Sequence, residues 1–209
     1  GEVVCGMIRK LGDVCEIIMG QSPDGSSYNR TGVGLPLLNG PSEFGSRHPV
    51  VVQWTSEPTK ICKDGDILLC VRGNTVGRRN VADGEYCIGR GLAAIRPVAG
   101  IAHDDFVWFA LGLITEQLLS KSSGSTFPNL NGEQLTKVEI SCPDLPTQRR
   151  IASRLKKQMA TLEQARHSTS EAFKAHRPLF EKTLSENFHG ITPLSVGRDE
   201  APAPEGWRW

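Results

Sequence analysis

The sequence predicts an α+β protein: a mainly β domain with a few helices over residues 1–144, then one long α-helix over residues 145–189 that packs as a coiled coil. Three observations carry this. Between Val50 and Ile95, short apolar runs alternate with Gly, Asp and Asn turns at strand spacing. Between Leu145 and Phe188 there is no glycine and, past Pro146, a single proline, Pro178. Within that stretch Ile151, Leu155, Gln158, Leu162, Ala165, Thr169, Ala172, His176 and Leu179 recur at alternating spacings of four and three, the seam of a coiled coil. About 40 helical residues make a rod of roughly 60 Å, and one narrow seam on such a rod calls for a second long helix.

In chain order, MIRKLGDV is a polar lead into a strand at Val14–Met19, closed by the turn Ser22-Pro23-Asp24-Gly25. Residues 24–47 form a long irregular stretch around Leu35–Leu38, and loops of that length are more often functional than neutral. Strands are expected at Val50–Trp54, Asp66–Arg72, Val81–Ile88 (with a turn at Asp83-Gly84) and Leu92–Ile95. A helix is expected over Phe106–Leu119, capped from His103-Asp104-Asp105, with Phe106, Phe109, Leu113 and Leu118 on its apolar faces. KSSGSTFPNLNG (residues 121–132) is a polar loop, Val138–Cys142 a last strand, and Pro143 and Pro146 bracket the start of the long helix, with Asp144 or Thr147 as cap. Pro178 predicts a kink or break around His176–Arg177. Residues 190–209 have linker composition leading toward a second unit, and end on PEGWRW.

Composition is that of a soluble protein, 38% hydrophobic and 22% charged. No basic start followed by an apolar run marks a secretory signal, and the longest apolar run is too short and too interrupted to span a bilayer, so no membrane is expected. The six cysteines include no CxxC pair, and three sit in strand-like runs, which favours buried thiols and a cytoplasmic location over disulfides. Net charge is +1, but residues 1–145 carry 13 basic against 16 acidic side chains and the remainder 11 against 7. The globular part is therefore no generically basic nucleic-acid binder.

Catalytic constellations are missing. The five histidines have no metal-ligand spacing, so no metal is expected. Arg72-Gly73-Asn74-Thr75-Val76-Gly77 lacks the lysine ending of a phosphate-cradling loop, and Asp64 and Asp66 fit turn chemistry. What stands out is polar loops. Arg72, Asn74, Arg78, Arg79 and Arg90 lie within about twenty residues holding only two acids, and Arg and Asn are the side chains that grip guanine and adenine edges. Arg47 adds a further cation, and Lys121, Ser122, Ser123, Ser125 and Asn129 offer donors for phosphates. Each could equally be a solvated loop residue.

LGDVCEIIMGQSP, GDILLCVRGNTVGRR, IGRGLAAIRP, SSGSTFPNLNGEQLTKVEISCPDLPTQRRIASRL and LSENFHG, in this order over nearly the whole chain, resemble half of the specificity subunit of a type I restriction-modification enzyme. The resemblance implies one target-recognition domain and one spacer helix that pairs as an antiparallel coiled coil, reading one half of a split sequence in double-stranded DNA. It implies a non-catalytic chain with no cofactor of its own. Its partners would be modification subunits that use S-adenosylmethionine to methylate adenine and an ATP-dependent restriction subunit. Because one unit leaves its seam uncovered, a homodimer through Ile151, Leu155, Leu162, Ala165, Thr169, Ala172 and Leu179 is expected, with its two-fold axis near residues 162–169. The rival readings are a stand-alone DNA-binding regulator or anti-phage adaptor, and a coiled-coil adaptor whose loops bind protein.

Overall fold

A computed structural model describes residues 7–121 and 129–187, with side chains described up to residue 115 in the first stretch. Ser122, Ser123, Ser125, Cys5, the side chain of Lys121 and the expected linker lie outside what is described. The chain opens with β1 (Met7–Lys10), the one-turn helix α1 (Leu11–Val14) and β2 (Cys15–Met19). β3 (Tyr28–Asn29), β4 (Leu35–Leu38), β5 (Trp54–Thr55) and β6 (Ile61–Cys62) are short and separated by irregular chain. β7 (Ile67–Cys70), β8 (Arg79–Val81), β9 (Tyr86–Ile88) and β10 (Leu92–Pro97) follow, then α2 (Asp104–Lys121), α3 (Gly132–Lys137), β11 (Glu139–Cys142) and α4 (Leu145–Asn187).

The strands form a four-stranded sheet ordered β2-β10-β7-β8, a five-stranded sheet ordered β3-β5-β4-β9-β6, and the pair β1-β11. Among the described pairings, β4 with β9 is parallel and the rest are antiparallel. β7 and β10 are buried on both faces, which is why they read as continuous apolar runs. Ile67, Leu69 and Val71 with Ala93 and Ile95 point into one core beside Val107, Leu111 and Leu135. Leu68 and Cys70 with Leu92 and Ala94 point into a second, beside Leu38, Cys62 and Ile88. At the edge of this layer Arg96 holds the buried Asp66 by two bonds, Nε to Oδ1 at 2.8 Å and Nη2 to Oδ2 at 2.7 Å, and reaches Glu16 at 2.8 Å. Asp66 also accepts from the Lys63 amide at 2.8 Å, so its carboxylate is spent on structure.

The α+β class is as the sequence predicts, and several local expectations are not. The polar lead is a strand, β1, because it pairs with β11 from the far end of the domain, Met7 opposite Cys142. Val50–Trp54 gives strand only at its end, β5, and Val50 and Val52 are exposed. Val81–Ile88 is not a hairpin: β8 pairs with β7, whereas β9 joins β4 and β6 in the other sheet. On α2 the buried face runs through Phe106, Val107, Leu111 and Thr115, leaving Leu113 64% exposed. A short helix that the sequence reading passed over, α3, is closed by a capping box in which Asn131 and Gln134 exchange bonds of 2.8 and 2.9 Å.

α4 starts on a built cap. Asp144 Oδ1 accepts from the Thr147 amide at 3.1 Å, and those bonds hold the Asp144 carboxyl below its ordinary range. One turn on, Gln148 is fully buried. Its Nε2 donates to the Ile101 and Pro143 carbonyls at 3.0 and 2.8 Å, and its Oε1 accepts from the His103 amide at 2.8 Å. PDLPTQRR is thus a docking sequence, tying the root of α4 to the turn before α2. The chain divides into a unit ending at Leu155 and a second beginning at Lys156, so the first turns of α4 belong with the globular unit. The expected break at Pro178 is absent: the helix runs unbroken to Asn187 with Pro178 inside it. Pro178 removes one backbone donor, and because Lys174, whose carbonyl loses that bond, is exposed, water can take its place.

Candidate nucleic-acid interface

The end of β7 gathers three of the expected DNA-contacting residues. The Val71 amide donates to the Gly91 carbonyl at 2.9 Å, and the Val71 carbonyl accepts from the Leu130 amide at 2.9 Å. Three segments far apart in sequence therefore meet at one residue, and the exposed neighbours of those three, Arg72, Arg90 and Asn129, share that edge of the domain. The β7–β8 loop that follows is drawn closed by Cys70, whose amide donates to Arg78 and whose carbonyl accepts from Gly77, both at 2.9 Å. Arg72, Asn74 and Arg78 stand exposed on this loop. None of the three has a side-chain hydrogen bond or ion pair among the described interactions, so their donors are available to a ligand.

Polar residues that the sequence reading did not single out stand around Arg90. Its amide donates to Ser22 Oγ at 3.2 Å, and the Gln21 amide donates to the Ile88 carbonyl at 2.9 Å. Asn39 lies so close that a Cβ on Gly89 would sit 2.6 Å from its Oδ1, and one on Gly91 2.6 Å from its carbonyl. Glycine flanks Arg90 on both sides because two other loops press against that backbone. The signal was legible as the glycines of MGQS, LLNG and IGRG, although which of them meet was not.

Arg79, expected among the loop cations, opens β8 and turns toward α2. Its Nη1 donates to the Trp108 carbonyl, and its Cζ lies 4.8 Å from the Trp108 ring centroid. A Cβ on Gly112 would come within 2.7 Å of the guanidinium, which accounts for a glycine within α2. Burial pulls this guanidinium below its ordinary value, as for a cation serving packing. Arg47 is exposed but sits elsewhere: its carbonyl accepts from Val81 at 3.0 Å, at the opposite end of the β7–β8 pair, where Val81 faces Ile67.

The described cysteines are buried away from solvent. Burial pushes the Cys15, Cys62 and Cys70 thiols up to about 12, and each described cysteine is free and buried. Among the described residues no group of three or more His, Cys, Asp or Glu side chains converges, and no helix is long and apolar enough to cross a membrane.

The expected dimerisation seam falls into two parts. Ile151 and Leu155 are half-buried and line an apolar groove of about 330 Å³ with Phe109 and Leu113 of α2. From Leu162 onward the seam is open, with Leu162 60% and Leu179 65% exposed and Ala165, Thr169 and Ala172 exposed as well. Met159 and Phe173, just beside the seam, are 53% and 74% exposed. These apolar groups stand on or beside one stripe of the helix.

Residues 7–171 match the family model of the type I restriction modification DNA specificity domain. The putative type I restriction enzyme MjaX specificity subunit of Methanocaldococcus jannaschii is 37% identical over 170 residues, covering 81% of this chain and 40% of the relative. The fold is similar to that of the HsdS subunit from Thermoanaerobacter tengcongensis, with a TM-score of 0.67 and 37% identity over 79% of this chain and 40% of that one. A chain from a structure describing complex assembly and conformational transition of the type I R-M system superposes with a TM-score of 0.79 and 35% identity, over 91% of this chain and 47% of that one. The chain spans rather less than half the length of each of these relatives.

Proposed function

Since the chain belongs to the type I restriction modification DNA specificity family, we propose that it is the sequence-specific DNA-recognition subunit of such a complex and reads one half of a split target. The observation that carries this is the family match over residues 7–171, which takes in both the globular reader and most of the helix beyond it. The β7–β8 loop and the edge beside it present Arg72, Asn74, Arg78, Arg90 and Asn129, the donor types that discriminate base edges in the major groove. In this reading the chain is non-catalytic and cytoplasmic. Modification subunits bring S-adenosylmethionine and methylate adenine, and a restriction subunit brings ATP. Two copies joined through α4 supply the two readers, and a two-fold pair of identical readers specifies a split palindrome.

The acidic balance of residues 1–145 fits a division of labour in which the partners hold phosphates and this chain reads bases. On its own the purified chain is expected to bind DNA weakly. The test is reconstitution with a modification subunit encoded beside it, following methyl transfer from S-adenosylmethionine to duplex DNA. Transfer at one split motif, at least about tenfold reduced by Arg72→Ala, is the expected result. Transfer indifferent to the presence of this chain contradicts the proposal.

A further inference from the structure

We infer that α4 pairs with a second copy in one particular register, with Leu155 of one chain facing Leu179 of the other and the two-fold axis passing level with His167. This rests on the dimeric reading above and specifies its geometry.

Orientation follows from charge. The first sixteen residues of α4 hold Arg149, Arg150, Arg154, Lys156 and Lys157 and no acid, while all four acids of the helix, Glu163, Glu171, Glu181 and Glu186, come later. A parallel pair would stack the basic roots on each other. An antiparallel pair sets each basic root beside a half of its mate in which those four acids balance Arg166, Lys174, Arg177 and Lys182, which removes the repulsion between roots.

Register follows from spacing. Read backwards, the alternation of four and three matches itself only where a residue that ends a four-step faces one that ends a three-step, so permitted registers differ by whole heptads. With Leu155 opposite Leu179, the layers are Leu155–Leu179, Gln158–His176, Leu162–Ala172 and Ala165–Thr169, each repeated by symmetry. Polar meets polar at the one strongly polar layer, and leucine meets leucine or alanine. Beside the seam, Met159 comes next to Phe173, covering two exposed apolar side chains of the helix.

Slipping one heptad one way sets Ile151 against His176 and Leu179 against Gln148, whose side chain is already fully buried and bonded within its own globular unit. Slipping the other way sets His176 on Ala165 and Leu155 on Glu186. Only the middle register also fills the groove at the helix root, because Leu155 lines that groove with Leu113 and Phe109, and Leu179 of the second copy arrives there. Twenty-four residues then separate Leu155 from the level of its symmetry mate, about 36 Å of helix, which is close to one turn of B-form DNA.

Paired cysteines in the full-length chain test this. Gln158→Cys and His176→Cys lie about 27 Å apart along one helix and cannot bridge within a chain. The double variant is expected to run, after mild oxidation, as a covalent dimer of twice 22.8 kDa on a non-reducing gel. Each single variant and the unsubstituted chain should run at single mass. Linkage of Gln158→Cys with Thr169→Cys, or of Ala165→Cys with His176→Cys, in place of the first pair overturns the register while leaving the dimer standing. So does a dimer by light scattering in which none of the pairs links. A monomer by light scattering overturns the dimeric reading and the register with it.

Discussion

The unit ending at Leu155 and the helix beyond it solve opposite problems. The first buries β7 and β10 on both faces between two apolar clusters, fixes Asp66 with Arg96, and seats the Gln148 side chain with hydrogen bonds to Ile101, His103, Cys142 and Pro143. The second, from Lys156 to Leu179, has no buried or half-buried residue. Leu162, Phe173 and Leu179 stand exposed on it, and a helix without packing contacts has little stability of its own. The difference separates a unit that folds on its own contacts from a helix whose side chains are exposed, and substitutions in the two regions should fail in different ways.

The sharpest break is Leu162→Asp. A carboxylate placed in the seam twice by symmetry should weaken self-association by at least about 100-fold, so that light scattering reports half the mass. Thermal unfolding of the globular unit should stay put. Next is Leu69→Ala, at a side chain almost fully buried between β10 and α2. It should cost about 3 kcal/mol in denaturant unfolding, and the dimer should persist wherever the chain is folded. A subtler contrast lies within the reader itself. Arg79→Ala should lower stability by about 1 kcal/mol through its lost contact with Trp108, whereas Arg72→Ala should leave unfolding within about 0.5 kcal/mol and impair DNA reading instead.

The smallest effect concerns pH at the junction. The Asp144 carboxyl is held below its ordinary value of 3.8 by bonds from Thr147, so its capping is complete above that value and fades as pH falls through the lowered one. Protection of the Thr147 amide, its exchange measured against the intrinsic rate at each pH, should fall in acid. The Gln148 amide, bonded to the Asp144 carbonyl at 2.9 Å, should change less.

Much of this contrast was legible in the sequence because periodicity reports burial. ILLCV and LAAI read as strands, and the four-three spacing of α4 read as a seam on a single helix. Pairing was not legible. β1 takes its conformation from β11, more than 130 residues away, and β8 and β9 part into different sheets across the same Asp-Gly turn that reads as a hairpin. For the candidate interface, residue type singles out Arg72, Asn74, Arg78 and Arg90, and the structure leaves all four exposed. The same criterion included Arg79, because an arginine in a glycine-flanked loop looks alike whether it meets DNA or Trp108. Direction depended on Gly112, a small residue in another element. Ser22 and Asn39 were passed over because only long-range backbone contacts bring them to Arg90.

The central claim, that this chain chooses the DNA sequence for a partner's chemistry, is tested most directly by mapping methylated adenines across a genome with and without its gene. The account predicts a split, palindromic motif that is methylated only when the gene is present and is lost with Arg72→Ala. Identical methylation in both genomes would contradict it.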